Sequence, residues 1–519
     1  MTVGRVARAA AVVAALGLLS RLLGFVREIV MTAAYGTSAQ ADSFVNGLFI
    51  VNTVAAILLY ALVTLVIPVF LQERERGGTG SAWRLLSAIA AWTGIVLIAL
   101  TAVVAIWPQL PTALFNLGDP VRIETTETLI RIMAPALMLQ GFSALFTALL
   151  QVHGRFAGPA AVGVAFNFGI IVGVAIGHDS IGIEAAGWGV TVGAALQIAL
   201  QMPQFIRVMR ADGTAGITLF HPRLRSVLLL ALPVLGASVL QQINGFTDRL
   251  FANSLEVGRT SALNYANALG SAPRSLLLFP LLTPLFPVIA RLMAERREGE
   301  ALRAFDRAAG LLALVALPVS AFFALYATEI TRLAFQRGQF TAESVTQTAG
   351  PLVFYALAVW GNFIGYLVNR TLSAANRARD IMVATVVAVV LTIGLDLALL
   401  GPMEQSGLAL ASGIAVYVNT ALTLVYLRRQ FPSFSLRGLG TQQARLVVGA
   451  GVGAGAAALM NLPLPTDRGS WIVVAAKLIV KGLVGLAAYL AAVRILAPAT
   501  LADGRRTLGA MVHRRKAHT

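Results

Sequence analysis

The stretch AAAVVAALGLLSRLLGFVREIVMTAAY, residues 9–35, is almost wholly apolar yet holds Arg21 and Arg27 in its interior. About 20 helical residues cross the roughly 30 Å hydrocarbon core of a bilayer, so the run reads as a membrane-spanning helix. A charge at the bilayer centre costs about 2.5–3.5 kcal/mol on insertion scales, and it faces a water-filled cavity or a partner. Two cations in one span point to an internal cavity that receives something anionic. The two arginines are about 120° apart around a helix, so both can border a wide cavity without stacking. Gly24 between them permits a kink or close packing. Glu28 offers the other account, an ion pair with Arg27 or Arg21 inside a helix bundle, which still leaves one cation in surplus.

The rest of the chain repeats this apolar character. Of 519 residues, 57% are hydrophobic and 12% charged, and the mean hydropathy is +0.79. Such a composition reads as an all-α polytopic membrane protein. Hydropathy divides it into about fourteen spans, estimated at 9–35, 42–71, 83–107, 123–151, 156–177, 182–206, 226–254, 260–290, 304–327, 343–370, 380–400, 405–427, 442–462 and 470–497. The apolar run after Arg5 and Arg8 resembles a signal peptide, but it continues into the charged 20–28 segment and reads as a retained first helix. The net charge of +17 would suggest nucleic acid in a soluble chain, but here the cations lie in short loops between spans. With the N-terminus in the cytoplasm, 26 Lys and Arg fall on that side, including Arg505, Arg506, Arg514, Arg515 and Lys516, while Arg259, Arg332, Arg337 and Arg468 fall on the other. The positive-inside rule then predicts both termini in the cytoplasm. There is no cysteine, which excludes disulfides and thiolate sites. The five histidines are expected to be solvated surface residues.

An internal repeat runs through the chain at an offset of about 220 residues. Val66-Ile67-Pro68-Val69-Phe70 recurs as Leu285-Phe286-Pro287-Val288-Ile289, and Gly24-Phe25 recurs as Gly245-Phe246. His153-Gly154-Arg155 echoes Ala375-Asn376-Arg377, and Gly187 with Gly193 echoes Gly407 with Gly413. The displacement joins span 1 to span 7, an even number of spans. It therefore predicts two parallel six-helix lobes, at 1–222 and 223–438, of the kind transporters place around a cavity. Residues 439–500 would add two further helices, and 501–519 a basic cytoplasmic tail.

Several further charges lie within spans. Asp42 opens the second span, where it serves either as a helix N-cap or in function. Asp248 and Arg249 sit mid-span, and Arg274 lies in the eighth span. Asp396 has no basic neighbour in sequence; with Thr392 one turn earlier, Asn419 and Asp248, it suggests a sodium or proton site between spans 7, 11 and 12. Amides such as Asn46, Asn52 and Asn167 read as interhelical glue or ligands. No P-loop, H-E-x-x-H or nucleophile–base constellation is present, so a transporter is expected rather than an enzyme. Active transport would then draw on an ion gradient or the membrane potential.

The residues also resemble a known family. S-R-L-L-G-F-V-R-E at 20–28 and A-Y-G-T-S-A-Q-A-D-S-F at 34–44 resemble the opening of the MurJ (MviN) lipid II flippases of the MOP exporter superfamily. D-R-L-F-A-N-S-L at 248–255, S-A-L-N-Y-A at 261–266, F-Q-R-G-Q-F-T at 335–341 and H-G-R-F-A-G-P-A at 153–160 are similar to further family stretches. The resemblance implies fourteen helices, with the last two cradling a lipid tail. It also implies flipping of undecaprenyl-pyrophosphate-linked peptidoglycan precursor across the bacterial cytoplasmic membrane, in contact with cell-wall synthesis machinery. By position, it implies that Arg21 and Arg27 hold the pyrophosphate, that Asp42 is a functional acid, and that Asp248 and Asp396, near Thr392, form a sodium site. The substrate set would also include Asn52 and Arg274. The sequence departs from the family where Asn52–Pro68 replaces an Arg-rich stretch with an acid, and where Ala266-Asn267-Ala268 replaces Ala-Asp-Arg. Arg274 would compensate in part for the lost cations. The alternatives are a flippase for another lipid-linked oligosaccharide, or an inactive membrane scaffold. A MATE-like exporter of cationic drugs would want net acid in its cavity, which the arginines oppose.

Overall fold

A computed structural model describes residues 3–115, 117–213, 216, 218–460 and 471–504. Arg468, the ends of the last two expected spans at 461–462 and 470, and the tail cations from Arg505 onward lie outside these. The described residues are helical and contain no strand. Bilayer physics accounts for this: in lipid a helix satisfies its own backbone hydrogen bonds.

The chain divides into two compact units, one of residues 1–261 with 337–341 and one of residues 262–336 with 342–519. The first unit holds α1 (Val3–Tyr35), α2 (Ala39–Ile106), the short α3 (Gln109–Ala113), α4 (Pro120–Val152), α5 (Ala157–Ile181), α6 (Glu184–Asp212) and α7 (Leu224–Asn253). Next comes α8 (Arg259–Pro273), which begins in the first unit. A π-helical segment (Arg274–Leu278), α9 (Phe279–Ala294), α10 (Glu298–Leu325), α11 (Ala327–Phe335), α12 (Ala342–Ala374), α13 (Ala378–Gln430), α14 (Leu436–Leu459) and α15 (Trp471–Leu496) follow in the second. Among the described residues, nine helices are long and apolar enough to cross a membrane.

Two of these helices are too long for one crossing. The 68 residues of α2 would extend about 100 Å if straight. They do not: Gly78 leaves the helical region at φ 75°. The Phe70 and Trp83 rings on either side of it lie 5.9 Å apart, where a straight helix would part them by about 20 Å. The 53-residue α13 turns back at Glu404 (φ 49°, ψ −134°), which brings Gly407 against the Leu399 carbonyl. The limbs on either side of these turns cover the expected spans 42–71 with 83–107, and 380–400 with 405–427.

Helix starts follow local chemistry. The Ser38 hydroxyl caps α2 by accepting from the Ala41 amide at 3.2 Å. Asp119 caps α4 ahead of Pro120, whose missing N–H costs nothing at a first helical position. Of the two roles left open for Asp42, capping of its own helix is therefore ruled out: Ser38 takes it.

The backbone carries its own evidence of the repeat. Besides Gly213, left-handed residues among those described occur at Gly36, Gly78, Gly118, Gly154 and Gly182, and again at Gly258, Arg296, Gly338, Asn376 and Glu404. Each second-set residue follows its counterpart by about 220 positions, matching the offset of the sequence motifs. Gly182 (φ 59°, ψ −137°) and Glu404 share nearly one conformation.

In the first unit α5 and α6 pack through glycines. A Cβ at Gly169 would fall 2.4 Å from the Gly193 Cα, and one at Gly193 would fall 2.7 Å from the Phe166 carbonyl oxygen. Backbones approach this closely only where side chains are absent. A core of Met31, Phe44, Leu129, Met133, Ile170 and Val190 fills the space between α1, α2, α4, α5 and α6.

At the end where α4 and α6 finish, two histidines correct the solvated reading. His153 presents one ring nitrogen to the Leu149 carbonyl and the other to Asp212 Oδ2 at 2.9 Å, and Phe70 and Trp83 flank its ring. Trp83 Nε1 donates to the same carboxylate at 3.1 Å. His221 lies 3.8 Å from Glu73, which accepts from Ser81 at 2.6 Å and Arg223 at 2.8 Å. Loop histidines become buried when carboxylates from neighbouring helix ends offer partners. Burial pushes the Asp212 carboxyl up, but the hydrogen bonds from His153 and Trp83 outweigh it and hold the group below the usual carboxylate range. The Ser81 hydrogen bond, then Arg223, lowers Glu73 likewise. A carboxyl depressed in the folded state stabilises the fold above its unfolded pKa of about 4 and loses that contribution as pH falls through the folded value. Thermal melts of the detergent-solubilised protein are therefore expected to drop on acidification below about pH 4, and Asp212→Asn is expected to flatten part of that drop.

Candidate functional site

The first site is built on α1. Arg27 forms an ion pair with Glu28 through Nη2 and donates from Nη1 to Asn167 Oδ1 at 3.1 Å. Asn167, buried on α5, donates in turn to the Gly163 carbonyl at 2.8 Å and the Ser20 carbonyl at 3.3 Å. One amide thus fixes both the α1 backbone and the Arg27 guanidinium, as expected for a glue residue. Gly163 permits this approach, since a Cβ there would meet the Ser20 hydroxyl at 2.1 Å. The ion pair anticipated from Glu28 is made with Arg27, and Arg21, six residues earlier, keeps an exposed side chain. Arg27 is itself partly exposed on the same helix.

The second site is a fully buried polar knot around Asp42. Its carboxylate accepts from the Gly258 and Ser261 amides, both at 2.7 Å, and so caps the start of α8 rather than its own helix. Arg122 at the start of α4 approaches Asp42 at 3.7 Å. Arg122 also donates to Asn253 Oδ1 at 3.0 Å, and that oxygen further accepts from Asn46 and Thr260, each at 3.0 Å. Asn253 Nδ2 returns a bond to Asn46 Oδ1 at 3.1 Å. Burial of a charge demands such pairing. α2, α4, α7 and the turn into α8 are tied together here, all within the first unit.

The other predicted residues are spread along the chain. Asn52 is exposed on α2. Asp248 is half-buried on α7, and Arg249 beside it places its guanidinium 5.3 Å from the Phe49 ring centroid. Arg274 opens the π-helical segment, exposed, with a long 3.5 Å contact to Asn362; such segments occur often at functional sites. In the second unit Asp396 and Thr392 are both buried one turn apart on α13, and Thr392 donates to the Ala388 carbonyl at 2.9 Å. Asp248 belongs to the first unit. Among the described residues no three His, Asp or Glu side chains gather as a ligand set.

A family model described as lipid II flippase MurJ matches residues 31–479. The chain belongs to this family. Among MurJ relatives, a probable lipid II flippase of Rhizobium meliloti is 28% identical over 84% of this chain and 83% of its own length. A lipid II flippase of Burkholderia cenocepacia is 26% identical over 82% and 84%. A solved MurJ structure in an inward closed conformation superposes with a TM-score of 0.80 at 19% identity, covering 93% of this chain and 98% of that one. A MATE multidrug transporter of the MOP superfamily superposes at 0.66 with 13% identity, over 82% and 98%. These likenesses show that the chain shares its fold with both solved structures.

Arg122, Asn253 and Thr260 are the residues that reading the sequence missed. Asn253 lies inside the stretch D-R-L-F-A-N-S-L, which was legible as a family segment. Arg122 gave no such signal: at the edge of an apolar run it resembles an ordinary loop cation.

Proposed function

We propose that this chain flips lipid II, the polyprenyl-pyrophosphate-linked peptidoglycan precursor, across the bacterial cytoplasmic membrane by alternating access. The observation that carries the reading is the cation pair on α1 of a MurJ-family chain, with Arg21 exposed and Arg27 held in place by Asn167 and Glu28. A pyrophosphate suits two guanidiniums, which bind phosphate oxygens in bidentate fashion and attract anions strongly between low-dielectric walls. Arg274 and Asn52 would complete the headgroup contacts. The lobes would be 1–222 and 223–438, with 439–500 lining the lipid tail and both termini in the cytoplasm, as the loop cations support. Cell-wall synthesis proteins would take up the product.

An inward-directed sodium gradient or the membrane potential would supply the driving force. The Asp396 carboxylate and the Thr392 hydroxyl offer hard oxygen donors of the type such a cation prefers, and Asp248 would be a third. Their part is to hold the cation; the headgroup is bound by the arginines.

Reconstitution in vesicles with fluorescent lipid II tests the reading. Arg21→Ala and Arg27→Ala are each expected to slow translocation by about tenfold or more, since loss of a charged hydrogen bond costs about 1.5–3 kcal/mol. Wild-type rates in both variants would refute the site. Transport of another polyprenyl-linked saccharide in preference to lipid II would redirect the substrate assignment.

A further inference from the structure

Lys481 is a buried cation on α15, a helix whose opposite face exposes long apolar side chains. Trp471, Ile472, Ile479 and Leu483 of α15 are 58–71% exposed, whereas Lys481 is 8% exposed. Its ammonium lies 5.4 Å from the centre of the Tyr326 ring. Tyr326 caps the end of α10, and its hydroxyl donates to the Ala457 carbonyl at 2.9 Å, two residues before α14 ends. Gly482, next in sequence, lets α15 settle on the Phe322 ring. Lys481 therefore sits where α10 and α14 both finish, at the ends of these helices opposite the arginine-rich loops from which they start. The carbonyl ends of two helices favour a positive charge there. They do not occupy its three N–H donors, and among the described residues Lys481 has neither a hydrogen-bond acceptor nor an acidic partner. Lys477, one turn earlier, adds a second cation on the same helix face.

We infer that Lys481, backed by the Tyr326 ring and assisted by Lys477, binds the phosphate of a lipid headgroup at this face. A lysine binds phosphate as a point charge, and the exposed Ile479 and Leu483 give the same helix an apolar surface against which an acyl or prenyl chain would lie. The phosphate belongs either to an anionic phospholipid of the bilayer or to a polyprenyl phosphate.

Native mass spectrometry of the full-length protein in detergent distinguishes these sources, with phosphatidylglycerol, undecaprenyl phosphate and phosphatidylcholine titrated separately. At least one of the two anionic lipids is expected to bind more tightly than phosphatidylcholine. Lys481→Met is expected to weaken that lipid by about tenfold, and Lys481→Arg to change it by less than about threefold. The lipid whose binding is lost identifies the source. Equal binding of both anionic lipids by wild type and Lys481→Met overturns the site, as does equal binding of phosphatidylcholine by wild type. If Lys481→Met does not melt cooperatively, Lys481→Gln, which keeps a polar donor without the charge, gives the same reading. Arg21→Ala is expected to lower only undecaprenyl phosphate held by the α1 cations, and Lys481→Met only the lipid held at α15, so the two proposals fail separately.

Discussion

Arg122→Ala is expected to destabilise the protein by about 3–5 kcal/mol, the cost of breaking a buried ion pair from one side. Asp42 would lose its counter-charge in a site where no side-chain atom reaches solvent, and Asn253 Oδ1 would lose one of its three donors. The effect should appear as a large fall in melting temperature in detergent and as failure to support growth of a bacterium depleted of its own flippase. The double variant Asp42→Asn/Arg122→Gln removes both charges and is expected to recover part of the loss, because an isolated buried charge costs more than a neutral polar pair. It should not recover all of it, since Gly258 and Ser261 donate to different carboxylate oxygens and asparagine puts an NH2 donor in place of one of them. A double variant no better than Arg122→Ala would show that the pair is not electrostatically coupled.

The second large effect concerns the α5–α6 seam. Gly193→Ala and Gly169→Ala each place a methyl group against backbone atoms, at 2.7 Å and 2.4 Å, which cannot rotate away as a side chain could. Overpacking of this kind costs about 1–3 kcal/mol and sometimes more. Gly17→Ala and Gly440→Ala provide the controls: nothing lies within 4 Å of the added methyl group, and both sit within helices, so alanine should be neutral or stabilising by up to about 1 kcal/mol. Melting curves of the four variants should separate into these two pairs. If the seam variants melt like the controls, the helices do not approach through their backbones.

Much of the fold was legible because bilayer physics is written locally. An apolar run of the right length needs no distant partner to declare itself, and loop cations such as Arg296 and Arg297 mark where runs stop. The reversal at Gly78 was legible too, as the gap between the expected spans 42–71 and 83–107. The α1 site was half legible: Arg27 and Glu28 are neighbours in sequence, but Asn167, which orients the guanidinium, lies 140 residues away. The Asp42 knot was the least accessible. Its members come from positions 42, 46, 122, 253, 260 and 261, each an ordinary cap, loop or amide residue when read alone. Only packing reveals that one oxygen of Asn253 collects three donors. His153 and His221 failed the solvated reading for the same reason, since Asp212 and Glu73 reach them from distant helix ends.

The five pairs of left-handed residues carry a consequence for how the two halves have diverged. In the first half every such corner is a glycine; in the second, Arg296, Asn376 and Glu404 stand at three of them. Side chains pay a steric penalty in that region, so these corners are enforced by the helices they join and not by the freedom of the residue that turns. A duplicated ancestor would leave this pattern: architecture inherited as a fixed set of elbows, with the amino acid at each elbow left to drift once its neighbours could hold the angle alone.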